Sequence, residues 1–147
     1  MAQFARPSAD TNNPGTYTDQ AGGGTNIYTT IDETAYSDAD YIRSTLNPAS
    51  AVYVTELTNL EDPVSSAGHT LRVRYAKDVT GGGQINLTVQ LRQGYVSEVT
   101  LGALIAERTF TNIGITFTTD AYTLTAGEAD AITDYTSLFL RTVATQV

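Results

Sequence analysis

The sequence predicts an all-β fold, an antiparallel β-sandwich of jelly-roll type with an extended N-terminal arm. Apolar and polar residues alternate with a period of two along several segments, which places one face of each predicted strand against a core. Only 16% of the 147 residues are charged, and threonine and tyrosine, which favour strands, are frequent. Turn-forming residues separate about seven or eight such segments, a pattern typical of sandwiches.

The first 24 residues have no periodicity. They are rich in Ser, Asn, Pro, Gly and Asp, so the sequence predicts a flexible arm over residues 1–24, without helix or strand, before a β-sandwich domain over residues 25–147. The arm is either a disordered end or a segment that becomes ordered on a partner. If the arm is separate, its deletion should leave the fold intact. It carries three residues of types that interfaces use: Phe4, Arg6 and Tyr17.

Alternation is clearest over residues 69–94, where two segments are separated by the glycines at 81–83. Glycines tolerate the positive φ angles of a longer hairpin loop. The sequence therefore predicts one antiparallel hairpin with an apolar inner face. Its polar outer face would carry three arginines: Arg72, Arg74 and Arg92.

Other strands are predicted on both sides of this hairpin. Alternation places them over residues 25–31, 51–57, 101–112, 115–124 and 135–147. The first half of 101–112 also suits a helix, although the flanking β-branched residues favour a strand. Thr125 is followed three residues later by Glu128, which is the form of a capping box and predicts a short helical turn.

The net charge of −8 bears on the partners of the chain. The eight basic residues are scattered rather than clustered, so we expect no nucleic-acid binding; a basic or neutral protein surface suits the charge better. Without cysteine there are no disulfides or thiolate metal sites. No apolar run reaches membrane-spanning length and no signal-peptide core is evident, so we expect a soluble protein without a membrane partner.

No pattern of residues predicts catalysis or a cofactor. His69 is the only histidine, so a zinc site lacks further nitrogen or sulfur ligands, and no serine stands in a nucleophile-elbow pattern. Two carboxylate pairs have the composition of a glycosidase site, but sequence does not fix their separation. These pairs are Glu98 with Glu107, and Asp130 with Asp134.

The sequence also contains residues suited to two other kinds of binding site. Four acidic residues of the segment 32–44 could ligate calcium, but their spacing does not match an EF-hand loop, and a solvated loop is the favoured interpretation. They are Asp32, Glu33, Asp38 and Asp40. The nine tyrosines could stack on sugars, although tryptophan, the usual platform, is absent.

Four segments taken together resemble small structural proteins of tailed bacteriophages and prophages. They lie at residues 38–42, 60–78, 85–94 and 122–141, and as an ordered series the likeness spans most of residues 32–147. Phage proteins of this size, with an all-β sandwich and an extended arm, are often head decoration (cement) proteins, which clamp neighbouring capsid subunits.

The resemblance implies a non-enzymatic virion structural protein without a cofactor, made in the host cytoplasm and placed on the outer surface of the capsid. Its partner would be the major capsid protein, bound through residues 1–24 and one edge of the sandwich. A homotrimer would suit the local three-fold positions of a capsid. The alternative is a tail or fibre-associated module that binds a host glycan. The expected interface residues are Phe4, Arg6, Tyr17, Arg72, Arg74 and Arg92.

Overall fold

The computed structural model describes residues 2–78 and 83–147. Strands make up 40% of the chain and helix only 6%, and the sheets are antiparallel, which confirms the all-β prediction. The elements are β1 Pro7–Asn12, β2 Tyr17–Asp19, a 3₁₀ turn Ile27–Thr30, β3 Ile42–Ser44, β4 Ala51–Leu57, β5 Thr70–Tyr75, β6 Ile85–Gln93, β7 Ala103–Phe110, β8 Thr118–Thr123, α1 Ala126–Asp130 and β9 Leu138–Gln146.

The last strand, β9, lies at the centre of a five-stranded sheet with the order β1-β4-β9-β6-β7. Every neighbouring pair in this large sheet is antiparallel. β9 pairs with β6 along its whole length, from Leu138 opposite Gln93 to Gln146 opposite Ile85. The strand predicted over residues 135–147 is therefore confirmed.

Alternation along β4 decides which side chains enter the core. Ala51 and Tyr53 point to one face of the large sheet, the inner face, and are buried there. Val54 points to the opposite, outer face and packs with Tyr95 and Phe139. Both faces of this strand therefore carry buried apolar side chains.

Two ribbons, β2–β3 and β5–β8, cover the inner face. Leu71 of β5 lies in the same buried cluster as Leu91 of β6, and Tyr17 of β2 lies in a second cluster with Tyr53 of β4. Val73 packs against both clusters, so one core runs between the layers. Because the second layer of the described residues consists of two separate ribbons, the jelly-roll sandwich remains a prediction.

The predicted hairpin over residues 69–94 is wrong in its pairing. Both strands form, but β5 pairs with β8 whereas β6 pairs with β7 and β9. Alternation in the sequence indicates which face of a strand is apolar, but it does not indicate which strand lies next to it. β5 and β6 both turn an apolar face to the same core without being paired with each other. The predicted turn at glycines 81–83 falls largely outside the described residues.

The expectation that residues 1–24 contain no strand is also wrong. Pro7–Asn12 forms β1, an edge strand of the large sheet paired with β4, and Tyr17–Asp19 forms β2. Asp10 accepts hydrogen bonds from the backbone N–H groups of Ile27 and Tyr28 and from the hydroxyl of Tyr53. Polar residues are tolerated in β1 because an edge strand with a single neighbour is half solvated.

The segment 25–31 is not the predicted strand. Ile27–Thr30 forms a 3₁₀ turn after Asn26, whose φ of 54° is left-handed, a conformation that asparagine tolerates. The strands predicted over 51–57, 101–112 and 115–124 are confirmed at β4, β7 and β8. The capping box is confirmed too, since Thr125 and Glu128 exchange the expected hydrogen bonds at α1.

Candidate partner-binding surface

The six predicted interface residues lie in different environments. Phe4 is 63% exposed, and the backbone of the half-buried Arg6 exchanges hydrogen bonds with Thr58. Tyr17 is only 4% exposed and packs against Tyr53 with ring centroids 5.7 Å apart. Tyr17 is therefore a core residue, and its assignment to a partner interface is wrong.

Arg92 is also not an exposed interface residue. It lies on the outer face of the large sheet and is 8% exposed. Its guanidinium donates hydrogen bonds to the Gln90 side chain and to the carbonyls of Leu101 and Gly102. Burial lowers the pKa of Arg92, and the neighbouring charge of Arg141 lowers it further. The β6–β7 loop, residues 94–102, covers this side chain, which sequence alternation alone does not reveal.

An ion pair fixes that loop on the outer face. Glu98 accepts hydrogen bonds from the Arg141 guanidinium at 2.5, 3.0 and 3.1 Å, and from the Tyr95 hydroxyl at 3.0 Å. Hydrogen bonding from Arg141 lowers the pKa of Glu98. The Tyr95 ring packs against Phe139 of β9. Two exposed valines of the loop, at positions 96 and 99, therefore project from a well-anchored turn.

Arg72 and Arg74 point away from the core on β5, as predicted. Arg72 is exposed, whereas Arg74 is half-buried. The Arg74 guanidinium donates two hydrogen bonds of 2.6 Å to the carboxylate of Asp38 and one of 2.9 Å to the hydroxyl of Thr119. This bidentate geometry is the strong form of a guanidinium–carboxylate pair, and Arg74 holds the pKa of Asp38 below its ordinary value.

Aromatic rings surround the Arg74 guanidinium. Its central carbon lies 4.2 Å from the ring centroid of Tyr36 and 5.3 Å from that of Phe117. Tyr41 lies against Phe117, with ring centroids 6.2 Å apart. We call these side chains the aromatic patch: Tyr36, Asp38, Tyr41, Arg74 and Phe117.

The aromatic patch has the composition of an interaction surface. Tyr36 is 66% exposed. The Nε, Nη1 and Nη2 atoms of Arg74 each donate a hydrogen bond within the protein. We therefore interpret Arg74 as a residue that orders the loop carrying Tyr36 and Asp38, and not as a binding site for an anion of the partner. Tyrosine and arginine are enriched at the energetic centres of interfaces. Sequence reasoning selected Arg74 by alternation but missed Tyr36, because the loop that carries it has no periodicity.

Four of the five residues named as catalytic candidates contact other side chains of the protein. Nε2 of His69 lies 2.7 Å from the hydroxyl of Tyr135, while Nδ1 is buried without a hydrogen-bond partner. Glu98 is paired with Arg141, Glu107 accepts a hydrogen bond from Gln90, and Asp134 accepts hydrogen bonds from Thr136. Among residues 2–78 and 83–147, no group of three or more His, Cys, Asp or Glu side chains is placed to hold a metal ion.

Two shallow cavities lie at the surface. One of about 420 Å³ has a largely polar lining that includes Asp62, Asp130 and Tyr135. Another of about 360 Å³ lies between β1 and the β6–β7 loop, beside Asn12 and Glu98. Hydroxyl and carboxylate side chains line both cavities, Ser65 and Asp62 in the first and Ser97 and Glu98 in the second, and Glu98 is already paired with Arg141.

No protein-family model, curated protein or solved structure matches this chain. Within the described part of the chain, no helix is long and apolar enough to cross a membrane.

Proposed function

We propose that this chain is a non-enzymatic virion structural protein, a capsid cement protein that binds neighbouring major capsid protein subunits on the outer surface of the capsid. The observation that carries the proposal is the aromatic patch, an exposed Tyr36 ring held in place by the Asp38–Arg74 pair. A protein that clamps its partners needs contact side chains that are already ordered more than it needs catalytic groups, because ordering side chains on binding costs affinity.

The N-terminal segment takes a different part in this proposal from the one its sequence predicts. β1 and β2 belong to the folded domain, so the clamp is the domain itself. Phe4 remains exposed ahead of β1 and supplies an aromatic anchor beside the folded surface. Residues 2–5 replace residues 1–24 as the segment that can contact a capsid subunit directly.

The resemblance to small phage structural proteins also supports the proposal. The same role implies a homotrimer at local three-fold positions, since closed symmetry multiplies weak contacts into strong binding. The net charge of −8 keeps free subunits apart before assembly. The remainder of the role follows: synthesis in the host cytoplasm, no cofactor, and neither nucleic acid nor membrane as partner.

Binding to particles tests this role. Purified protein is added to phage heads assembled without it, and bound protein is measured after sedimentation. We expect saturable binding that approaches a simple ratio to the major capsid protein. Absence of binding to such heads, with binding to isolated tails instead, contradicts the cement role.

A second role is a tail or fibre-associated module that binds a host glycan. The exposed Tyr36 ring beside the Asp38 carboxylate favours it, because sugars stack on aromatic rings and donate hydroxyl hydrogen bonds to carboxylates. A glycan-array signal that disappears in Tyr36→Ala and persists in Val99→Ala supports this role. The absence of any signal on the glycan array would contradict the glycan-binding role.

A further inference from the structure

The loop that carries Tyr36 and Asp38 of the aromatic patch is acidic. The loop between the 3₁₀ turn and β3 carries four carboxylates, at positions 32, 33, 38 and 40. Arg74 pairs with Asp38 alone, and Arg72 contributes one further positive charge on the same face of β5. Residues 31–43, which include Tyr36, Asp38 and Tyr41 of the patch, therefore carry four carboxylates against one arginine, Arg43, in a chain whose net charge is −8. An anionic partner would be repelled here.

The Tyr36 ring is placed to receive a cation. The Arg74 guanidinium lies 4.2 Å from the centroid of this ring. Tyr36 is nevertheless 66% exposed, so much of its ring remains open to a partner. The Arg74 charge is compensated by the bidentate contact with Asp38, which weakens its repulsion of a second cation. The open face of an aromatic ring attracts guanidinium and ammonium groups, and the excess negative charge of the loop adds to that attraction.

From this arrangement we propose that the aromatic patch docks a basic protein surface, and that an arginine or lysine side chain of the partner stacks on Tyr36. The inference rests on the proposed function and gives the partner its chemistry: the capsid surface that meets this chain carries exposed positive charge. Phe117 and Tyr41 supply the apolar floor beside that contact. Arg74 is a positioning residue, which holds both the ring and the carboxylate.

A peptide titration tests the inference on the isolated protein. Isotope-labelled protein is titrated with a Gly-Arg repeat octapeptide, and amide shifts are followed by NMR. We expect shifts concentrated on the loop of residues 32–41 and near Phe117. Tyr36→Ala should weaken binding about twofold to fivefold, the range of an exposed cation–π contact. Raising salt from about 50 to about 300 mM should weaken it further.

Matched variants separate this site from general charge attraction. Val99→Ala removes an exposed apolar side chain from the opposite side of the protein, and we expect it to bind like the wild type. Asp40→Asn and Asp130→Asn each remove one negative charge, and only Asp40→Asn should weaken binding. A Gly-Glu octapeptide should cause no shifts at the patch.

Three results would overturn the inference. Amide shifts spread evenly over all acidic segments would show that the peptide is attracted by the net charge of the protein and not by the aromatic patch. Equal binding by the wild type and Tyr36→Ala would remove the ring contact, and a glycan that binds through Tyr36 while the basic peptide does not would assign the patch to sugars. None of these depends on particles, so the inference and the cement role can fail separately.

Discussion

Asp10 shows how a single polar residue ties the N-terminal segment to the domain. Its carboxylate accepts hydrogen bonds from two backbone N–H groups at 2.9 Å and from the Tyr53 hydroxyl at 2.7 Å. Tyr53 is among the most buried side chains of the core. A carboxylate that is half-buried needs such donors, because burial without them would be costly.

Removing the Tyr53 hydroxyl should therefore destabilise the protein. We expect Tyr53→Phe to lower the free energy of unfolding by about 1.5–3 kcal/mol, the range for a hydrogen bond to a charged group. Urea denaturation measures it. Tyr36→Phe is the matched control, since no hydrogen bond joins its hydroxyl to any other residue of the described ranges 2–78 and 83–147, and it should change stability by less than about 0.5 kcal/mol. Equal effects of the two substitutions would contradict the role assigned to Asp10.

The Glu98–Arg141 pair should make stability depend on pH. Arg141 lowers the pKa of Glu98 in the folded protein, so the stabilisation is fully present above the pKa of an unfolded glutamate, about 4.3. It is lost as the pH falls through the lower folded pKa. We expect Glu98→Gln to cost about 1 kcal/mol at neutral pH, and its difference from the wild type to shrink below pH 4.

The control for this pH effect is Glu61→Gln. Glu61 is exposed, and within the described part of the chain no ion pair or hydrogen bond involves its carboxylate. Unfolding curves of both variants at several pH values provide the measurement. A Glu98→Gln deficit that stays constant down to pH 3 would show that the carboxylate charge does not hold the β6–β7 loop.

At the scale of elements, the sequence predicts strands better than it predicts their neighbours. Period-two alternation locates β4, β5, β6, β7 and β9 because each has one face in the core. The same alternation cannot distinguish β8 from β6 as the partner of β5, because the apolar face of β5 with Leu71 and Val73 would meet the core in either pairing. β1 is missed altogether, because Pro7–Asn12 is polar and its strand geometry comes from pairing with β4.

Truncation tests whether β1 and β2 belong to the domain. Deleting residues 2–19 removes both strands and the buried Tyr17 ring, and leaves one edge of β4 unpaired. We expect a loss of at least about 3 kcal/mol in the free energy of unfolding, measured by urea denaturation. Deleting residues 2–4 keeps both strands and should cost less than about 1 kcal/mol. Equal stability of the two truncations would restore the separate arm that the sequence predicts.

At the scale of the whole molecule, the two layers are joined by a polar contact as well as by the core. Arg108 of β7 pairs with Asp120 of β8 at 2.9 Å and lies 4.7 Å from the ring centroid of Tyr122. This contact closes the side of the core at β7. It also places a charged side chain on the inner face of an edge strand, which disfavours pairing with another chain.

Only part of the candidate surface could be predicted from sequence. Alternation places Arg72 and Arg74 on the outer side of β5, and both lie there. It also gives Arg92 an outer face, but the β6–β7 loop buries that residue. Tyr36 and Asp38 come to Arg74 from a loop whose path depends on tertiary contacts, which no local pattern encodes.

We propose that this chain tiles a phage head as a structural protein. The most direct measurement is the number of copies of this chain relative to the major capsid protein in purified particles, by quantitative mass spectrometry. For a protein that tiles the head we expect a ratio of about one, or a simple lattice fraction such as about one third. A handful of copies per particle, or none, would contradict it, and the few-copy result would place the chain in the tail.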